Sequence, residues 1–121
     1  MNERIHFINH QTKQILLIDF SNCSSGDVEK IARAVPDYVI PQPRGSVLVL
    51  SDFTGASLDP EAIRTIKETA VFDKPYIAKS ALVGGGNLTE VLGETLKDFS
   101  RREFPTFKTR QEALSWLVSN E

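Results

Sequence analysis

The 121-residue chain holds one cysteine and two histidines, and these shortages exclude several functions. Cys23 has no second cysteine to pair with, so an oxidising compartment offers it no internal disulfide. Cys23, His6 and His10 are too few and too badly spaced for a zinc site. Positive charge is not in excess: 14 Lys and Arg stand against 16 Asp and Glu, a net charge of −2. That balance lacks the concentrated positive surface that nucleic acid requires. No uninterrupted apolar stretch approaches the ~20 residues of a membrane-spanning helix, and the start, Met1 to His6, lacks the apolar core of a secretory signal. The expectation is a protein of the reducing cytoplasm.

What is present is ordinary globular composition, 40% hydrophobic and 25% charged. The length suits one domain over residues 1–121, able to bury a core without disulfides or metals. Ile5 to Ile8 and Gln14 to Ile18 are short apolar runs joined by a polar link, which predicts an antiparallel hairpin. The second run is apolar throughout, as befits a strand covered on both faces. Ser24 or Ser25 caps a helix carrying Val28, Ile31, Ala32 and Val35, which Pro36 kinks or ends. Val47 to Leu50 form a third strand. Asp59 as N-cap, Pro60 at the first turn and Glu61 open a second helix, with Ile63, Ile66 and Ala70 inward.

Tyr76 to Val83 form a fourth strand that runs into Gly84-Gly85-Gly86. Asn87 with Glu90 resembles a capping box for a helix whose inner line is Leu88, Val91, Leu92, Leu96 and Phe99. Phe104 to Phe107 is a short strand that its proline confines to an edge. Thr109 to Glu112 is a full capping box, opening a helix with Ala113, Leu114, Leu117 and Val118 inward. The order ββαβαβαβα predicts an α/β fold: a mixed five-stranded sheet with four helices, parallel except at its first strand.

These residues carry a resemblance. The order of elements, with a hairpin before the first helix, resembles the STAS fold of anti-sigma-factor antagonists. More specifically, the chain is similar to the SpoIIAA-like proteins grouped with STAS and Sec14 (CRAL-TRIO) domains. The stretches concerned are Val47 to Gly55, Asp73 to Tyr76, Ser80 to Gly84 and Phe107 to Leu117. The last is the most specific, with an aromatic strand end, a capping box and an Ala-Leu-x-Trp-Leu helix in fixed order. The resemblance implies signalling through protein interaction and no established enzymatic activity. Phospho-switching STAS proteins carry Asp-Ser-Ser-Gly where the third strand meets the second helix. This chain has Ala56-Ser57-Leu58-Asp59-Pro60-Glu61 there, with Ser57 the nearest phosphoacceptor.

The partner-binding candidates are Asp52, Thr54, Gly55, Ser57 and Asp59, at the carboxyl end of a central strand, where open α/β sheets present their sites. The plainer reading makes Gly55 a turn and Asp59 a cap. Gly84, Gly85, Gly86 and Asn87 form a candidate anion-binding loop, although the P-loop Lys-Ser/Thr is missing and a tight turn explains them as well. A Cys23–histidine nucleophile pair fails on geometry, since the hairpin carries His10 ~33 Å and His6 ~20 Å from Cys23 at the usual strand rise. A phosphoacceptor role for Asp52 fails because Lys74-Pro75 precedes its strand and only Asp19 stands near the required acidic pair. Lys97, Arg101, Arg102, Lys108 and Arg110, mixed with Asp98 and Glu103, read as a solvated helix end, with an acidic-partner patch as the alternative. Trp116 and the phenylalanines are expected in the core.

Two functions follow. One is a non-catalytic regulator that binds another protein through Asp52 to Glu61. The other is a carrier of a small apolar, lipid-like ligand between helices and sheet, which needs a cavity there. No metal and no cofactor are called for. A homodimer is compatible with either function.

Overall fold

The computed structural model describes residues 3–119. Strands β1 (Ile5–His10) and β2 (Lys13–Asp19) form the expected antiparallel hairpin. Its two-residue turn, Gln11-Thr12, has both φ angles positive (48° and 68°), the geometry whose twist matches that of the flanking strands. Helix α1 (Ser25–Ala34) starts where the Ser24 hydroxyl accepts the Asp27 amide. Pro36 breaks it and starts a single turn, α2 (Pro36–Val39).

Strand β3 (Val47–Asp52) leads to α3 (Pro60–Asp73), capped by Asp59, whose carboxylate accepts the Ala62 amide at 2.8 Å. A 3-10 turn, Lys74–Tyr76, then feeds β4 (Ile77–Val83). Helix α4 (Asn87–Ser100), the two-residue strand β5 (Thr106–Phe107) and α5 (Arg110–Leu117) complete the chain. At α5 the Thr109 hydroxyl accepts the Glu112 amide at 3.2 Å, as the capping box predicts.

The sheet runs β1-β2-β3-β4-β5, with β1 antiparallel and every later pair parallel. Sequential order lays α1, α3 and α4 on one face. There Leu16, Ile18, Val49 and Leu82 of the sheet meet Val28, Ile31, Ile66, Leu92 and Leu96 of the helices. The opposite face, with Ile15, Leu17, Leu50, Ala81 and Val83, is covered by α5 through Ala113 and Leu117. The apolar runs of β2 and β3 are therefore buried on both sides, as their composition required.

Three expectations need correction. Helix α4 turns Thr89, Leu92, Gly93, Leu96 and Ser100 inward, leaving Leu88, Val91 and Phe99 exposed. Two apolar lines share this helix, and the small residues Thr89, Gly93 and Ser100 select the one that approaches the sheet most closely. Its N-cap is Gly86 at φ 86°, one residue before Asn87, so the proposed capping box is absent. Finally, Phe72 is exposed, and Trp116 is only half-buried, under a lysine ammonium 4.6 Å from its ring centroid, that of Lys79.

Gly93 illustrates the tightness of the α4 contact. An added Cβ would meet the Phe104 carbonyl oxygen at 2.9 Å and the Thr106 methyl at 3.2 Å, whereas at Gly26 of α1 it would meet nothing. Alanine normally gains up to about 1 kcal/mol over glycine in a helix. Gly26→Ala should therefore leave the melting temperature unchanged or raise it. Gly93→Ala should lower it, by about 4 °C for each kcal/mol lost. Thermal melts of the two variants read opposite signs.

Candidate functional site

Two places in this frame concentrate polar chemistry: the carboxyl edge of the sheet and a slot beneath α3. At the edge, β2 and β3 finish in register with Asp19 beside Asp52. Each strand leaves the sheet the same way. The Asp19 carboxylate accepts the amide and hydroxyl of Ser21 (3.0 and 2.5 Å), and that of Asp52 accepts the amide and hydroxyl of Thr54 (2.9 and 2.7 Å). Between them, Phe20 and Phe53 stack at 4.5 Å with planes 8° apart. The chain thus contains one corner twice, as Asp19-Phe20-Ser21 and Asp52-Phe53-Thr54. Arg110, the first residue of α5, bridges both, with its Nε 2.6 Å from Asp52 and an Nη 3.3 Å from Asp19. Partial burial pushes the Asp19 carboxyl up, but the Ser21 hydrogen bonds and the charges of Arg110 and Arg4 outweigh it and hold the group below its ordinary range.

Asp52, expected to face a partner, is only 5% exposed, and its carboxylate is spent on Thr54 and Arg110. The physical reason is α5, which lies on that face and whose N-terminal arginine reaches the strand end. The strand order also never reverses, so the sheet has no switch-point crevice of the kind that usually places ligands at this edge. Thr54, Gly55, Ser57 and Asp59 do lie exposed together on the corner before α3. Gly55 takes φ 71°, where a Cβ would strike the Asn22 side chain, and the Ser57 amide is held by the Cys23 carbonyl at 2.9 Å.

Gly84 is buried against Thr89, where a Cβ would come within 2.4 Å of the hydroxyl oxygen. Gly85, Gly86 and Asn87 are exposed. The glycines therefore make a tight strand-to-helix turn. Burial raises the Cys23 thiol, with Asp27 and Asp19 adding to that and Arg4 opposing it, so the group stays protonated at neutral pH. The histidines pair in register with Leu17 and Lys13 on the distant hairpin, as expected. Among the described residues, no three His, Cys, Asp or Glu side chains converge as metal ligands.

The second place was not foreseen residue by residue. A cavity of about 60 Å³ runs between α3 and the sheet. Its walls are apolar at one end, with Phe20, Phe53, Ile66 and Leu82, and polar at the other, with Asp73, Ser80 and Arg102. Asp73 is 6% exposed, and its Oδ1 hydrogen-bonds to nothing among the described residues; the same holds for Arg102 Nε. Other nitrogens of Arg102 donate to Ser80 Oγ (3.0 Å) and the Ala70 carbonyl (3.2 Å), and its guanidinium lies 4.5 Å from the centroid of the Phe104 ring. Burial lifts the Asp73 carboxyl to about 7 against the pull of Arg102. It lowers the Arg102 guanidinium to about 10 against the pull of Asp73. Of the basic residues expected on a solvated surface, Arg102 is half-buried here, whereas Arg110 is exposed and pairs with the two strand-end carboxylates.

This architecture is the SpoIIAA-like fold, a mixed five-stranded sheet with four principal helices. A solved structure described as an uncharacterized protein of the DUF3478 family with a SpoIIAA-like fold, from Shewanella loihica PV-4, superposes on it with a TM-score of 0.70. The likeness covers 94% of this chain and 92% of that one at 19% sequence identity. No family model and no curated protein matches the chain. No helix among the described residues is long and apolar enough to cross a membrane.

Two predictions follow from these geometries. Arg110→Ala strands the Asp52 carboxylate and should cost between the ~1 kcal/mol of an exposed ion pair and the ~3 kcal/mol of a buried one. Adding Asp52→Asn should restore part of that loss in urea unfolding. The second concerns pH. Unfolded, Asp73 releases its proton near 3.8, whereas the folded chain holds it to about 7. Folding therefore retains a proton that the unfolded chain has lost, and this residue's contribution to stability falls as pH rises across that window. The fall is at most about 1.4 kcal/mol per pH unit, and it levels off above 7. Urea melts of Asp73→Asn and the parent chain between pH 4.5 and 8 should diverge along that slope.

Proposed function

We propose that this chain is a non-catalytic binding domain that takes a small amphipathic molecule into the slot beneath α3. The observation that carries the reading is the pair of unsatisfied polar atoms, Asp73 Oδ1 and Arg102 Nε, on residues lining an otherwise mainly apolar cavity of about 60 Å³. Buried polar groups are normally partnered, and a cavity with an apolar body and a polar end is the usual form of a small-molecule site. The protonated, buried Cys23 and the histidines' position on the hairpin support a binding role over a catalytic one.

Docking of another protein is the second reading, and what favours it is the exposed corner Thr54 to Asp59, whose backbone is pinned by Asp52, Gly55 and Ser57. Both readings belong to one molecule, because the corner leads directly into the helix that roofs the slot.

The slot reading is tested by titrating 1-propanol into isotope-labelled protein. Saturable amide shifts should cluster at Phe53, Ala70 and Ser80. Ala70→Leu, which fills the cavity from α3, should abolish them while the fold survives. Shifts confined to the exposed apolar residues Leu88, Val91 and Phe99, or a response that never saturates, would overturn the reading.

A further inference from the structure

The polar end of the slot has a definite charge and hydrogen-bonding character, and this restricts the chemistry of what enters. Asp73 comes from the last turn of α3 and Arg102 from the segment after α4, so residues of two different elements, each with an unpartnered buried polar atom, line one cavity. Above about pH 7, where the Asp73 carboxyl is ionised, it only accepts, whereas the Arg102 guanidinium only donates. Their charges cancel; Asp73 is held inside at 6% exposure, and the half-buried Arg102 has its other nitrogens fixed on Ser80 and Ala70. An incoming anion would satisfy Arg102 but confront Asp73. A cation would do the reverse. Either would leave net charge in a mainly apolar cavity, which is costly unless it is paired.

Resting on the slot reading above, we infer that the ligand of this site carries an uncharged head that accepts from Arg102 Nε and donates to Asp73 Oδ1: a primary amide or an alcohol on a short apolar chain. An amide does this with separate carbonyl and NH₂ groups, and an alcohol with one oxygen. The apolar remainder points toward the stacked Phe20 and Phe53. The volume limits its length. An engineered cavity of about 150 Å³ accepts benzene, so about 60 Å³ holds a chain of only a few heavy atoms unless α3 lifts from the sheet.

The test compares four probes of one size, propionamide, 1-propanol, propionate and propylamine, by amide-shift titration at pH 8.5. At that pH Asp73 is ionised and Arg102 is charged. Propionamide and 1-propanol should bind at least ten-fold more tightly than either ion. In Asp73→Asn, which removes the negative charge while keeping the shape, propionate should become the preferred ligand, because Arg102 then lacks a counter-charge. Equal or tighter binding of propionate or propylamine by the parent chain would overturn the head-group assignment and leave the slot reading standing. Failure of all four to produce saturable shifts would remove the slot reading itself, and the assignment with it.

Discussion

The structure depends on a sheet wound in one direction. Each parallel strand is added beside the last, so the crossing helices all arrive on the same face and only the C-terminal helix remains for the other. The crowded face must bury α1, α3 and α4 over a twisted surface, and the fit is tightest where small residues line α4. Beneath α3 a cavity of about 60 Å³ remains. The sparsely covered face relies on an eight-residue helix. That helix is tied at both ends: Arg110 grips the ends of β2 and β3, and Lys79 donates to the carbonyls of Trp116 and Ser119 at 2.9 and 3.1 Å. A cation at a helix C-terminus also complements the dipole.

Much of this frame was legible in the residues themselves. The continuous apolar runs of β2 and β3 demanded two covered faces, and the caps Asp59 and Thr109 fixed two helix starts, because those signals are local. The faces of α4 were not legible, since Leu88, Val91 and Phe99 keep a helical spacing as good as that of the residues that are buried. Selection between them came from close packing against Phe104 and Thr106, a tertiary matter. The position of Asp52 failed for a similar reason: its burial is decided by Arg110, which arrives from the far end of the chain.

The candidate site was less legible than the fold. The general location, between helices and sheet, followed from the resemblance, but neither Asp73 nor Arg102 was singled out. Asp73 read as the end of a helix and Arg102 as one of several surface cations. Nothing local distinguishes a buried charge from a solvated one. The doubled Asp-Phe-Ser/Thr corner, by contrast, was a usable signal. In this sheet the two strands that leave with the same three-residue pattern stack their phenylalanines and align their carboxylates, and Arg110 answers the paired charge.

The shortness of β5 has its own consequence. Two residues next to Pro105 give that rim almost no backbone groups to offer. The six-residue β1 presents an open ladder along the other rim. Strand-by-strand growth of the sheet, whether into a paired assembly or into an aggregate, therefore has a polarity: it can begin beside Ile5 to His10 and is blocked at the opposite margin.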